Sequence, residues 1–447
     1  MKEQRKENVV LKVEKISSLG KGEIYFDNCQ FYLDGAFPGD SVEFTYNEEQ
    51  DKYLPSKINP ESPDRIKSDC AYFGPCQGCD LIEISEKARQ KLKASILKDT
   101  ISRFCGSENF KLHPFQASPK NIRFLSRVRI HRGKKGNRTE SGFLPSSDIG
   151  PLAITEDDRQ IHDGVVPVNS CALLVKPLLK RLVAARRALS ETPFPVEAFY
   201  LAASPVDEDS VSGHLIMSEK ARLSQAKEHV EKMMRLVQLK GISFGRPDKP
   251  VEGVCGDLKL NGLIAPGVQG GPYGYEPSFF CQGNVEQNES MIKWILKFAE
   301  VSQDMKVVEG YAGAGNFSIP LALAGALLDA YESHPGAFRM GMKNIITSGQ
   351  EKRINLYQAD AGKVLSKVAY SPDILLVDPP RSGLYQTAEI LEKLKPKKIL
   401  YVSCNMNSLS KNGRTIIDKG YALSDAVGFD FFPRTHHVEA LLCFVRK

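Results

Sequence analysis

The residues best suited to covalent chemistry are a cysteine and a carboxylate near the end of the sequence. Cys404, in Ser403-Cys404-Asn405, follows directly on the apolar run Ile399 to Val402. A cysteine picked at random is most often an inert buried hydrophobe, but one at a strand tip opens into a crevice. Glu439, in Thr435-His436-His437-Val438-Glu439, would on its own be read as a surface carboxylate. Paired with the thiol it becomes a base. A thiolate can add to an electron-poor carbon, and the carboxylate can take the proton whose loss expels the sulfur again. Asp378-Pro379-Pro380-Arg381 closes a neighbouring apolar run and places a third acidic group near both.

A second group of thiols needs an explanation of its own. Cys70, Cys76 and Cys79 are clustered, while Cys29, Cys105, Cys171, Cys255, Cys281 and Cys443 are scattered. Downstream, residues 144–165 offer Asp157, Asp158, His162 and Asp163, and the next cysteine is Cys171.

These groups need elements to hold them. The first sixty or so residues alternate apolar and polar positions at Ile24, Phe26, Val42, Phe44 and Tyr46, with turns at Gly20-Lys21-Gly22 and Pro38-Gly39-Asp40. This predicts a small β-barrel of the oligonucleotide-binding type over 1–62, followed by a linker at Asn59 to Asp64. Ser85 to Phe104 carries no Gly or Pro and predicts a helix. An α+β central domain is expected over 63–275, with a strand near Arg123 to Ile130 and a basic helix near Cys171 to Leu189. From 276 to 447, apolar runs at Val307, Leu327, Ile354, Ile374 and Ile399 alternate with helical segments. That alternation predicts a doubly wound parallel α/β sheet, with a hairpin from Phe429 to Arg446 at its edge.

Within that sheet, Val308-Glu309-Gly310-Tyr311-Ala312-Gly313-Ala314-Gly315-Asn316 reads as strand, glycine-rich turn and helix. Alone, such a turn is weak evidence for a ligand. Glu332, Asp360 and Asp378 stand at the ends of the next apolar runs, however, where carboxylates can take ribose hydroxyls. The loop lacks the full dinucleotide fingerprint, so a nucleoside cofactor without phosphates fits better, and S-adenosylmethionine is the expected one. A methyl sulfonium, a thiol and a base together suit a pyrimidine. Sulfur added to carbon 6 makes carbon 5 electron-rich enough to take a methyl group.

Together these residues resemble the RNA 5-methyluridine methyltransferases, and within them the ribosomal RNA type that carries a TRAM domain and an iron–sulfur cluster. The likeness runs nearly end to end. Lys12 to Ser56 resembles the TRAM barrel, which implies RNA binding; Phe280-Cys281-Gln282-Gly283-Asn284 matches the F-x-Q-x-N signature, which implies that Gln282 contacts the cofactor. Tyr311, Gly313, Asn316, Glu332 and Asp378 fall on further cofactor positions, as does Asp360. The resemblance implies Cys404 as nucleophile, Glu439 as general base, and Cys70, Cys76 and Cys79 as three ligands of a [4Fe–4S] cluster, with the fourth not identified. Met406 stands where the family usually has proline, and Ala312 where cysteine is common.

Composition sets the frame. At 447 residues several domains are expected, and 42% apolar with 26% charged content is that of a soluble globular protein. No run approaches the ~20 apolar residues of a membrane span, and the N-terminus has no secretory signal, so a cytoplasmic protein, monomeric and without a membrane partner, is expected. The net charge of +6 is modest, but Lys120, Arg123, Arg127, Arg129, Arg132, Lys134, Lys135 and Arg138 form a basic strip. Read alone it is a solvated face; beside the resemblance it is an RNA face, with Arg127 the first residue to test. Two relatives by chemistry fit less well. A cytosine-5 enzyme would place cysteine after the fourth strand, and an adenine-N6 enzyme an aromatic in place of Arg381. Two rivals remain, a transfer RNA enzyme of the same family and an RNA-binding protein with decayed catalysis.

Overall fold

The computed structural model describes residues 8–76, 78–106, 110–135, 138–145, 164–221, 226–247, 249–263 and 272–447. Asp157, Asp158, His162 and Asp163 lie outside the described residues.

An eight-stranded sheet dominates the C-terminal part. Its strands lie in the order Ile354–Gln358, Leu327–Glu332, Lys306–Gly310, Ile374–Val377, Lys398–Ser403, Glu439–Arg446, Tyr421–Phe429 and Lys111–Leu112. The first five are mutually parallel, as continuous apolar runs joined by helical crossovers require. Both faces are covered, and two large cores result. One contains Val308, Leu375, Ile399, Tyr401 and Phe444; the other contains Val307, Leu328, Leu376, Leu400 and Leu441. The chain is thus a multidomain α/β protein built around such a sheet.

The closing hairpin does not sit on the edge. Glu439–Arg446 is inserted between Lys398–Ser403 and Tyr421–Phe429, antiparallel to both. The two-residue strand Lys111–Leu112, from far upstream, pairs with Tyr421–Phe429 and covers the outer side. Helix Glu86–Cys105 brings the neighbouring stretch of chain to the same sheet. Ser85 caps it by accepting from the Ala88 N–H, and its Ile96, Leu97, Ile101 and Phe104 join the core of Tyr401 and Leu409.

Before these elements stand two three-stranded sheets, Val9–Lys12 with Ser41–Asn47 and Lys52–Asn59, and Lys15–Ile16 with Gly22–Phe26 and Cys29–Leu33. They enclose Val13, Ile24, Leu33, Val42 and Phe44. The expected linker is tied down: Ser62 N donates to Asp40 Oδ1 at 3.0 Å, and Arg65 forks onto the same carboxylate at 3.0 and 2.7 Å. Proline and polar residues in that stretch signalled a turn without revealing its anchor.

A six-stranded sheet lies between, ordered Gly253–Gly256, Gly241–Gly245, Val211–Met217, Val196–Ala203, Arg127–Lys135 and Arg138–Gly142. Helices Lys176–Ser190 and Ala226–Val237 pack on it through Leu178, Leu182, Val230 and Met233. The strand expected from Arg123 starts only at Arg127, because Arg123 has a φ of 55° that no strand tolerates.

Candidate active site

Strand Lys306–Gly310 runs into the glycine-rich turn at the carboxyl edge of the parallel sheet. Gly313 and Gly315 have φ of 58° and 92°, and nothing lies within 4 Å of where a Cβ at Gly313 would stand. The backbone there borders open space, which is what close approach of a ligand needs. Tyr311 also has positive φ, at 65°. For a bulky residue this conformation costs on the order of 1–3 kcal/mol and concentrates at functional sites. The cleft beyond this turn is lined by Gln282, Asn288, Tyr311, Gly313, Asn316 and Asp378, among others.

Several of these side chains are fixed by one another. Glu332 accepts from Gly313 N at 2.9 Å through one oxygen and from His334 N at 2.6 Å through the other. Each oxygen keeps a lone pair for a further donor. Asn316 and Asn288 exchange amide hydrogen bonds of 3.0 and 2.8 Å. Asn288 was not picked out from the sequence; its signal was its place one helical turn after Asn284, on the helix Val285–Ala299. Asp360 does not line the cleft. It accepts from Gly362 N at 3.0 Å and caps the short helix Ala361–Val364; burial raises the Tyr311 phenol, and the Asp360 charge adds to the rise. Below the turn Glu309 is fully buried with Ser318 donating to it, and burial pushes its carboxyl up to about 8.

The two candidate reacting groups come together at the same sheet edge. The last pair in the ladder between Lys398–Ser403 and Glu439–Arg446 is Ser403 with Ala440. The next residues on each side, Cys404 and Glu439, therefore flank its end, and Asp378 ends the adjoining strand. Burial pushes the Cys404 thiol up to about 11, with Glu439 and Asp378 adding to the rise and Arg381 opposing it. Glu439 is 6% exposed and burial holds its carboxyl well above the ordinary range, again with Asp378 adding and Arg381 opposing. Asp378 is raised by burial to about 7. Arg381 is thus the cation of this acidic cluster, a part its motif alone did not reveal.

The Cys404 loop keeps its shape without the proline common at the following helix start. Asn405 caps helix Met406–Asp418, accepting from Asn407 N at 2.9 Å and Ser408 N at 3.1 Å. Met406 occupies the first helical position and packs into the core. The thiol then lies just outside a helix N-terminus, whose dipole favours an anion.

The basic strip is used differently from its appearance in the sequence. Arg123 donates to Cys171 O and Leu174 O, and Arg132 to Phe194 O and Thr192 O. Arg127 donates to Pro277 O and Phe279 O. Arg129 and Lys134 are exposed.

Among the described residues no three His, Cys, Asp or Glu groups converge closely enough to hold a metal ion. The thiols of Cys70, Cys76, Cys79 and Cys171 are nonetheless within electrostatic reach of one another. Burial first, then the neighbouring thiols, pushes Cys79 up to about 12. The loop bearing them is pinned to the segment ahead of Glu439. Asp69 bonds Arg434 at 2.8 and 3.1 Å, Leu81 N donates to Arg434 O at 2.9 Å, and Asp80 bonds His436.

Residues 269–447 match the family described as tRNA (Uracil-5-)-methyltransferase. The chain is 28% identical to the 23S rRNA (uracil(1939)-C(5))-methyltransferase RlmD of Shewanella halifaxensis, covering 98% of this chain and 95% of the relative. It is also 28% identical to the enzyme of that name from Shewanella amazonensis, covering 98% and 96%. Among solved structures, Pyrococcus abyssi tRNA (uracil-54, C5)-methyltransferase in complex with S-adenosyl-L-homocysteine superposes with a TM-score of 0.67 at 18% identity. That match spans 98% of this chain and 100% of the other, and it establishes a methyltransferase fold. The strand-end cluster, the glycine-rich cleft and these likenesses agree: residues 269–447 match the tRNA (Uracil-5-)-methyltransferase family, and the chain is similar over nearly its whole length to RNA uracil-C5-methyltransferases.

Proposed function

We propose that this protein methylates carbon 5 of a uridine in RNA, with 23S ribosomal RNA as substrate and S-adenosylmethionine as methyl donor. The observation that carries the reading is the register that sets Cys404 beside Glu439, both within electrostatic reach of Asp378, which lines the glycine-rich cleft. The relatives similar over nearly the whole chain bear a ribosomal name, which favours ribosomal over transfer RNA.

The cleft suits the donor: Gly313 leaves room where a Cβ would intrude, Gln282, Tyr311 and Asn316 line it, and Glu332, bonded to Gly313 N behind that lining, keeps lone pairs for ribose hydroxyls. Asp360 acts one step back, through Tyr311. Bound there, S-adenosylmethionine would supply an electrophilic methyl group. The protein's part is to make carbon 5 nucleophilic. Cys404 gives up its proton to solvent, and the thiolate sulfur bonds to carbon 6 of the uracil, pushing the ring electrons towards carbon 5 and the carbonyl oxygen. After carbon 5 has taken the methyl group, Glu439 removes the hydrogen it still carries. The electron pair re-forms the ring double bond and expels the sulfur. The raised affinity of Glu439 for a proton makes it a stronger base once ionised, and Arg381 favours that ionised form.

In this reading residues 1–62 are a TRAM-type barrel and 63–275 a central domain, both meeting the RNA, and 276–447 is the catalytic domain. Cys70, Cys76 and Cys79 would ligate a [4Fe–4S] cluster, as the resemblance implies, with Cys171, the scattered cysteine in their electrostatic neighbourhood, as fourth ligand once the thiols draw closer than they stand here. Protein purified without oxygen should be brown, with visible absorbance that Cys171→Ser removes; colourless protein containing zinc would refute the cluster. The function itself is tested by incubating unmodified 23S transcript and transfer RNA separately with the protein and labelled donor. Label in 5-methyluridine of the ribosomal transcript is expected, and label confined to transfer RNA would reassign the substrate.

A further inference from the structure

We propose that Arg127 is a positioning residue for the donor-binding loop, reaching across from the central sheet, rather than a contact for RNA phosphates. The inference rests on the cofactor reading above. Arg127 opens strand Arg127–Lys135, and its guanidinium turns away from solvent towards the chain that enters helix Val285–Ala299. Nη2 donates to Pro277 O at 3.0 Å, and Nη1 donates to Phe279 O and lies 3.6 Å from Cys281 Sγ. The Tyr200 ring covers the group, with its centroid 5.0 Å away. Ser126, next in the chain, reinforces the grip: its N–H and its hydroxyl each reach Gly283 O at 2.9 Å.

The carbonyls of residues 277, 279 and 283 are therefore held from one side. Phe279 is buried at 4% exposure, whereas Phe280 is 70% exposed, and both Phe280 and Gln282 line the cleft. Holding these carbonyls fixes which way the two intervening side chains point. A planar fork can serve two carbonyls at once, and an ammonium cannot. Donors already committed to the loop are poorly placed to meet a phosphate. At Arg127 the charge that suggested nucleic acid in the sequence is engaged inside the protein, and the central domain becomes a structural part of the donor site.

The test separates the two ligands. Arg127→Ala and Arg127→Lys are titrated with S-adenosylhomocysteine calorimetrically in the absence of RNA, and with unmethylated 23S transcript by filter binding. Arg127→Ala should weaken S-adenosylhomocysteine binding by about tenfold or more, and Arg127→Lys by less, because partly buried carbonyls lose their donors. RNA affinity should stay within about twofold in both, as expected when no phosphate contact is lost. Unchanged S-adenosylhomocysteine affinity, or a loss of RNA affinity alone, would overturn the proposal; should the alanine variant not fold, the lysine variant decides by the same comparison. Wild-type protein that failed to bind S-adenosylhomocysteine would instead overturn the cofactor reading.

Discussion

Two buried polar groups stand at the same end of the large sheet and have opposite characters. Lys93 is fully buried and lies 2.5 Å from Asp430, with Phe432 O as a second acceptor at 2.9 Å. Burial lowers its pKa, and Asp430 opposes that. One residue past the adjoining ladder, Glu439, Asp378 and Cys404 are desolvated together, and among the described residues none of them has an ion-pair partner. Burial with a matched partner holds helix Glu86–Cys105 against the sheet. Burial without one leaves groups whose proton affinities are far from ordinary, poised for reaction.

Breaking the unmatched group should cost activity and leave folding alone. Cys404→Ala is expected to lower methyl transfer by at least about a thousandfold, measured with labelled donor, because no other group can form the adduct. Its thermal midpoint should stay close to wild type; an active variant would end the proposed mechanism. Glu439→Gln sharpens the contrast, since addition and methylation can proceed but the proton cannot leave. A covalent protein–RNA band on a denaturing gel is expected, and no such band in the presence of donor would remove Glu439 from that role.

Breaking the matched pair should do the reverse. Lys93→Met leaves Asp430 buried and alone, at a cost of about 3–5 kcal/mol read from urea unfolding, and Lys93→Met with Asp430→Leu should recover most of it. Equal losses in the single and double variants would mean that charge matching is not what holds this junction. The smallest effect is one of pH. Asp378 has a folded pKa of about 7 against an ordinary 3.8, so the folded form holds the proton longer. Stability of the ligand-free protein should fall as pH rises from 3.8 to about 7 and level off above, and Asp378→Asn should flatten that stretch. An unchanged profile in the variant would assign the slope to another group.

Strands of the parallel sheet were legible because each is a continuous apolar run followed by a turn and a helix, and so was the fate of residues placed at their tips. The sequence placed Cys404 and Asp378 at one edge of the sheet, and their position beside Glu439 follows from strand order. Charged side chains were less legible. Arg123, Arg127 and Arg132 looked like a surface strip, yet their partners are backbone carbonyls, which carry no mark in the sequence. The pairing of Asn288 with Asn316 was hidden for a similar reason, since amides 28 positions apart signal nothing until the turn and the helix are folded together. The place of Glu439–Arg446 inside the sheet was also out of reach, because alternation identifies a strand and not its neighbours.

That inserted strand has a consequence for the order of events in synthesis. Until it emerges, Lys398–Ser403 and Tyr421–Phe429 each present an unfilled edge, and the thiol has no carboxylate across from it. A nascent chain that has reached residue 430 can already hold the glycine-rich turn yet lacks Glu439, the base of the proposed mechanism. Late threading of this strand between two earlier ones should make its docking a slow step of folding. Catalytic competence and closure of the sheet would then arrive together.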